Sequence, residues 1–368
     1  MSKIFPYDIP ASGICLVSLS MNSDMQNSLY AMFSALDARG YEVWTVGAKD
    51  PVCSNAKHTS HNIYVDCPAR PGIAKGTFDI AAANHVVAAI RSTGCKTVYF
   101  ESVHLWNCYV LACLGKKYTR VTTLHDVVPH DGSKSVLACQ KLQCRLSDFV
   151  AIKSEAFCED CSRLYGVPAE RILTVGVFRE WPPYEPGVGD GSCLFFGRVR
   201  KYKGLPAMDE IVRSMPMLRF TIMGSPDDQS RSALDAIKDL PNCTVVDREV
   251  MDTEMEEAFR QASWVLLPYE NASQSGVIID SYKYGRPVVA FDVGAIGNQV
   301  MDGVTGFLVP AGDIDAFISK VKMATAIGKA EYSQMTRASY DFGRERYSAE
   351  AMSDLLITKL NLKANKGH

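Results

Sequence analysis

Short apolar runs alternate along the chain with amphipathic stretches. Ile14–Leu19 is an apolar run followed by a polar loop, Ser20–Gln26. Ser28–Arg39 then carries Leu29, Met32, Phe33 and Leu36 at helical spacing, and Gly40 stops it. Glu42–Val46, Lys96–Phe100, Arg120–Leu124 and Phe149–Ile152 are further β-rich runs, with helical stretches such as Ile80–Ile90 and Asn107–Gly115 between them. Buried parallel strands alternating with helices are the pattern of a doubly wound α/β fold.

A composition shift follows. Val177–Ser192 contains Pro182, Pro183, Pro186, Gly187, Gly189 and Gly191, a density of breakers that reads as an interdomain linker. The alternation then restarts, with strands expected at Cys193–Phe196, Arg219–Met223, Thr244–Val246, Trp264–Pro268 and Pro287–Phe291. Helices are expected at Leu205–Arg213, Arg231–Asp239, Thr253–Gln261 and Ile278–Tyr284, and Thr253 with Glu256 fits a capping box. The tail, Ala349–Leu362, is again amphipathic. The expected plan is therefore an N-terminal domain over 1–177, a linker over 178–192, a second domain over 193–345, and a last helix over 346–368 that crosses back to the first domain. Ligands of such folds bind beyond the carboxyl ends of the strands, so a cleft between two such domains is the expected site.

Composition narrows the function classes. The chain has 368 residues, with 39 Lys+Arg against 41 Asp+Glu and a formal charge of −2, which gives no footprint for non-specific nucleic-acid binding. The hydrophobic and charged fractions, 47% and 22%, are those of a globular protein. Ile14–Leu19 is far short of the ~18–20 apolar residues that cross a bilayer and reads as a first buried strand rather than a signal peptide. The 12 cysteines are scattered; the one tight pair, Cys158 and Cys161, lies on a helical stretch with no second CxxC to complete a zinc site. Structural thiols in a reduced, cytoplasmic setting are the expectation.

The informative residues lie just after strands. After Cys193–Phe196 come Arg198, Arg200, Lys201 and Lys203, four cations within six residues that open onto a helix. Guanidinium and ammonium groups beside a helix N-terminus suit a diphosphate; a solvated basic loop is the equal alternative. After Trp264–Pro268 comes Tyr269-Glu270-Asn271-Ala272-Ser273-Gln274-Ser275-Gly276, in which Ser-Gly at a helix start offers backbone N–H groups to an anion. Asp280 is expected in the first helical turn, where it meets either a ligand hydroxyl or the helix dipole. His125-Asp126 follows Arg120–Leu124 and is a catalytic or sugar-binding candidate, or a structural histidine. No P-loop and no GxGxxG after the first strand are present. Asp313-Ile314-Asp315 has chelating spacing, but Asp313 reads as a helix N-cap.

Together these segments resemble the retaining nucleotide-sugar glycosyltransferases of the GT-B fold, specifically glycosyltransferase family four. The resemblance rests on Phe196-Gly-Arg-Val-Arg-Lys-Tyr-Lys-Gly, on Trp264-Val-Leu-Leu-Pro-Tyr through Gly285-Arg-Pro-Val-Val-Ala and Gly303-Val-Thr-Gly-Phe-Leu-Val-Pro, and on Thr123-Leu-His-Asp-Val-Val-Pro-His. It implies two Rossmann-like domains facing each other across a cleft. It implies that Arg198 and Lys203 hold the diphosphate, and that Ser275, Gly276 and Val277 offer N–H groups to the distal phosphate. By the same resemblance Asp280 binds the ribose, Arg248 to Val250 lie against the base, His125 faces the donor sugar, and Asn22 lines the loop opposite the diphosphate.

Two positions depart from the family pattern. The first glutamate of its E-x7-E motif falls at Ala272, and the second is Asp280, a shorter acid. Gln274 or Glu270 is then expected at the donor sugar's hydroxyls. The implied reaction moves a sugar from a nucleotide diphosphate-sugar to an acceptor hydroxyl with retention, without a metal ion or cofactor, in polysaccharide or glycoconjugate synthesis. A UDP-sugar is the expected donor, although these residues do not choose the base, and the acceptor is carbohydrate or lipid-linked. A sugar-nucleotide epimerase and an inactive nucleotide-sugar-binding partner are the rival readings, the latter kept alive by Ala272. A peripheral membrane contact through the first domain is a further expectation, for which Lys116, Lys117 and Arg120 are a sparse basis.

Overall fold

The computed structural model describes residues 13–20, 23–49, 61–68, 73, 75–128, 134–185, 187, 189–272 and 274–362. These form two compact units, each built around its own sheet. One unit runs to Glu180 and takes in the chain again from Ser348; the other is Trp181–Tyr347.

The first unit contains β1 (Ile14–Ser18), β2 (Val43–Ala48), β3 (Asn62–Val65), β4 (Thr97–Phe100), β5 (Thr119–Leu124), β6 (Phe149–Ile152) and β7 (Ile172–Thr174). Its helices are α1 (Ser23–Asp37), α2 (Ile80–Ser92), α3 (Leu105–Leu114), α4 (Lys134–Leu146) and α5 (Cys158–Tyr165). The strands pair in parallel in the order β3-β2-β1-β4-β5-β6-β7. The order reverses between β1 and β4, the switch point at which doubly wound sheets open a crevice. Alternate residues serve opposite helix layers. Ile14 and Leu16 pack with α1, whereas Cys15 and Val17 pack with α2 and α3.

The second unit contains β8 (Cys193–Phe196), β9 (Phe220–Met223), β10 (Cys243–Val246), β11 (Trp264–Leu267), β12 (Val288–Asp292) and β13 (Gly306–Pro310). Its helices are α6 (Leu205–Ser214), α7 (Asp228–Lys238), α8 (Asp252–Gln261), α9 (Gly276–Lys283), α10 (Ile296–Gln299), α11 (Ile314–Thr325) and α12 (Lys329–Tyr347). The parallel order is β10-β9-β8-β11-β12-β13, with the switch point between β8 and β11. The α/β architecture expected from the alternation is present twice.

Several boundaries differ from the sequence reading. The polar stretch after β1 is already helical from Ser23, because the fully buried Gln26 returns its amide to the Ser20 carbonyl at 2.5 Å instead of facing solvent. The capping box belongs to Glu254, not to Thr253 and Glu256. Helix α8 starts at Asp252, and the Glu254 carboxylate accepts the Met251 N–H at 3.1 Å. Asp313 caps α11 by accepting the Ala316 N–H at 2.9 Å, the N-cap role read from its position.

The breaker-rich stretch after Glu180 is held along the second unit. Trp181 is buried beside Tyr340 and Gly343, the Tyr340 hydroxyl donates to the Pro182 carbonyl at 2.5 Å, and the Arg286 guanidinium donates to the Gly187 carbonyl at 2.7 Å. The chain then re-enters the first unit, where Ala349 N–H donates to the Arg179 carbonyl at 2.8 Å. Helix α13 (Ala349–Leu360) follows and packs on α1, with Leu356 and Leu360 in the cluster that contains Leu29 and Met32. Two contributions to this contact differ in size. Arg39 meets Asp354 at 3.0 Å, but the aspartate is 64% exposed and the pair contributes less than about 1 kcal/mol. Leu356 is fully buried, so Leu356→Ala leaves a cavity and is expected to lower the unfolding free energy by about 2–3 kcal/mol in denaturant titration, well beyond the effect of Arg39→Ala. Among the described residues, no helix is long and apolar enough to cross a membrane.

Candidate active site

The second unit gathers charged groups at its switch point. Strand β8 delivers Gly197 and Arg198, and a 3-10 turn over Lys201–Lys203 leads into α6. Strand β11 delivers Tyr269 and Glu270 beside them. The Glu270 N–H donates to the Tyr202 carbonyl at 2.7 Å, which ties the two loops together. Arg198, Lys203, Tyr202, Asp227 and Glu270 are among the residues that line the resulting concave site of about 530 Å³. This juxtaposition follows from the topology, since β8 and β11 are adjacent in the sheet although far apart in sequence.

The four cations are not equivalent. Arg200 reaches Asp227 at 3.4 Å and is partly neutralised there. Arg198 is exposed and Lys203 is buried, and neither forms an ion pair among the described residues. The Lys203 Nζ lies 5.2 Å from the centre of the Tyr269 ring and 3.5 Å from the Phe196 carbonyl oxygen. Burial, reinforced by the Arg198 charge, lowers its ammonium to about 8. A desolvated, unpaired lysine beside a second cation is poised for an anion, because an incoming negative group relieves both the desolvation and the repulsion.

Gly204 makes the close approach of the two loops possible. It sits at φ +74, and a Cβ there would lie 1.8 Å from the Pro268 carbonyl oxygen. Gly197, at φ +103, has the same function towards the ammonium, since its Cβ would lie 2.7 Å from Lys203 Nζ.

The remaining expected residues are placed with two corrections. Ser275 is the N-cap of α9, but its N–H is already taken. Gln299 accepts it through Oε1 at 2.7 Å and donates back to the Ser275 carbonyl at 3.1 Å. Among the described residues nothing takes the N–H groups of Gly276 and Val277, which leaves those two to meet an anion there, while Ser275 is tied to the end of α10. Asp280 is not in the first turn of α9; it lies in the second, buried beside Tyr284, because α9 begins at Gly276. Ala272 is buried and its carbonyl accepts the Ala295 N–H at 3.2 Å, while Gln274 is half-buried.

Beyond β10, Arg248 is exposed and committed to Glu254, which it grips with both guanidinium arms at 2.8 and 2.6 Å, holding that carboxyl down at about 2. Val250 is half-buried in the same turn. Asn22 and Ser273 lie outside the described residues.

The first unit places His125 at the carboxyl end of β5. Its Nε2 is 2.5 Å from the Glu101 carbonyl oxygen, and Glu101 also receives Lys153 Nζ at 2.9 Å. Burial, then the Lys153 charge, lowers His125 below the ordinary imidazole range. Sequence reading singled out His125 but neither Glu101 nor Lys153, and it missed Gln299. None of the three belongs to a spacing motif; only the sheet order brings them to their partners.

Comparison with known proteins bears on the family and on the fold. Residues 25–176 match the family model described as Glycosyltransferase Family 4, and residues 190–325 match Glycosyl transferases group 1. The D-inositol 3-phosphate glycosyltransferase of Nocardia farcinica is 28% identical over 170 residues, covering 40% of this chain and 38% of that protein. Its counterpart in Xylanimonas cellulosilytica is 26% identical over 191 residues, covering 45% and 46%. The matches thus span less than half the length of these curated relatives. Among solved structures, sucrose-phosphate synthase from Thermosynechococcus elongatus superposes with a TM-score of 0.69 at 17% identity, covering 95% of this chain and 98% of that one. HepE of Anabaena, solved in complex with UDP, superposes with a TM-score of 0.72 at 14% identity, covering 95% and 99%. The two α/β units, the two successive family matches and these shared folds agree: the chain belongs to glycosyltransferase family four, with the GT-B fold.

Proposed function

We propose that the protein transfers a sugar from a nucleotide diphosphate-sugar, a UDP-sugar in the first instance, to a carbohydrate or lipid-linked acceptor hydroxyl with retention of anomeric configuration. The observation that carries this reading is the buried Lys203, without an ion-pair partner among the described residues, next to Arg198 at the switch point of the second sheet. HepE, whose fold this chain shares, was solved with UDP and also with UDP and glucose, which supports the choice of donor.

As the bond between sugar and diphosphate loosens, negative charge accumulates on the departing diphosphate. Arg198 and Lys203 neutralise it from a site whose charges are already in place, so no reorganisation is needed at the moment of bond breaking, and these two cations supply the stabilisation that a metal ion would otherwise give. The Gly276 and Val277 N–H groups at the start of α9 meet the distal phosphate. Asp280 serves the ribose. Val250 and the backbone beside it serve the base, because Arg248 is engaged by Glu254. Glu270, which lines the site, or Gln274 takes the sugar hydroxyl contacts that the family assigns to the position of Ala272. His125 acts on the sugar side of the reaction.

Two measurements test this. Incubation with UDP-sugars, an acceptor panel and a chelator should release UDP and give a product whose anomeric configuration, read by NMR, equals that of the donor; an inverted product, or dependence on a divalent ion, would contradict the reading. The second is calorimetric. The Lys203 ammonium titrates at about 8 in the empty site, and a bound diphosphate favours its charged form. UDP binding at pH 8.5 is therefore expected to take up protons, seen as a dependence of the heat on buffer ionisation enthalpy. The uptake should shrink towards pH 7, where the lysine is already charged, and affinity should fall as pH rises beyond 8. Proton release at pH 8.5 would contradict it.

A further inference from the structure

We infer that Glu101 and Lys153 are a positioning pair for His125, fixing its tautomer and its charge; the inference deepens the proposed reaction and rests on the reading of His125 as a residue of that site. The three residues follow the carboxyl ends of β4, β5 and β6, which are neighbours in the sheet, so the parallel register brings positions 101, 125 and 153 together. Glu101 is 1% exposed and Lys153 9% exposed, with Nζ at 2.9 Å from Oε1. A buried ion pair of this kind is a poor source of stability, because desolvating both charges offsets their attraction. What the pair does for its neighbour is more specific.

The His125 Nε2 lies 2.5 Å from the Glu101 carbonyl oxygen, an acceptor only. Nε2 therefore carries the ring proton, and the lone pair is left on Nδ1. The carboxylate of the same glutamate is 3.6 Å from Nε2, close enough to draw a second proton onto the ring if it stood alone. Lys153 prevents this by occupying Oε1, and its ammonium in turn lies 5.4 Å from the centre of the Phe178 ring. The charged groups facing His125 are thus Glu101 from the end of β4, Lys153 from the end of β6 and Asp126 beside it. Burial and Lys153 outweigh the two acids. The result is a neutral imidazole with one defined acceptor nitrogen. A neutral ring suits an oxocarbenium-like centre, which an imidazolium would repel.

The experiment follows the His125 ring by NMR in protein labelled at histidine, with the signal assigned by its loss in His125→Gln. The expected wild-type state is Nε2-protonated and neutral at pH 7. Lys153→Met should move the titration midpoint upwards, Glu101→Gln should move it downwards, and Lys153→Arg should restore it. The double variant Glu101→Gln/Lys153→Met carries no buried charge, so it keeps the test open if a single variant fails to fold, and its midpoint should lie between those of the singles. A ring protonated on Nδ1, or midpoints that stay at the wild-type value in both single variants, would overturn the inference. The same variants are assayed for UDP release from UDP-glucose as a function of pH. The acid limb of kcat/KM should move upwards in Lys153→Met, in step with the ring. Midpoints that move while the pH profile does not would support the pair and overturn the role given to His125.

Discussion

Turnover of a UDP-sugar is expected to fall on the order of 10²–10³-fold in Lys203→Ala, with the circular dichroism spectrum unchanged. The size of the effect follows from where the ammonium sits. Lys203 is 8% exposed, and Gly197 and Tyr269 confine it, so its charge acts through a medium with little water to screen it. Arg198 is exposed, and Arg198→Ala should cost less, on the order of 10-fold, because solvent replaces part of what the guanidinium gives. The loss should fall on kcat more than on KM, since the charge on the leaving diphosphate is greatest when the bond to sugar is stretched. Steady-state assays of UDP release across donor concentration separate the two. Wild-type turnover in Lys203→Ala would remove the basis of the proposed mechanism. The variant is expected to be slightly more stable than wild type, as for a residue whose burial serves binding rather than folding.

Gly204→Ala is expected to lower the unfolding free energy by about 3–5 kcal/mol, measured by chemical denaturation, and to abolish UDP binding where the protein still folds. Two independent costs combine. The residue is left-handed at φ +74, a conformation that L side chains rarely adopt, and its Cβ would lie 1.8 Å from the Pro268 carbonyl oxygen. Backbone is on the far side of that clash, so no side chain can swing away, and relief requires the β8 and β11 loops to separate. Gly40→Ala is the matched control. Gly40 is also left-handed, at φ +76, but nothing lies within 4 Å of its added Cβ. It should therefore show the conformational cost alone, about 1 kcal/mol. Equal losses in the two variants would mean that the contact with Pro268 contributes nothing.

The doubly wound architecture was legible because its central strands are apolar on both faces: Ile14–Ser18, Phe149–Ile152 and Trp264–Leu267 are near-continuous buried runs. Strands β3 and β7 and helix α12 lack that signal. Strands β3 and β7 are edge strands of four and three residues with only half-buried side chains at most positions, too short for an alternation to show. Helix α12 carries charged and polar residues around most of its circumference, so its apolar stripe of Tyr332, Met335 and Tyr340 is diluted. At the site, the cationic loop and Ser275-Gly276 could be read because each is contiguous in sequence. The distinction between a spent Arg200 and an available Lys203 could not, since it depends on Asp227 and Tyr269 arriving from other strands. Gln299 escaped for the same reason, as did the fact that it uses the Ser275 N–H.

The path of the chain has a consequence for synthesis. The first unit is completed only by α13, which seals the apolar face of α1, yet the whole of Trp181–Tyr347 is translated in between. While a ribosome makes the second unit, Leu29, Met32 and Leu36 lack the cover that Leu356 and Leu360 will supply. The second unit, continuous in sequence, can reach its native state first, and the earlier-made unit matures last. Nascent chains should therefore be vulnerable at α1 to proteases and to capture by chaperones that bind apolar segments, and this vulnerability should end when α13 emerges.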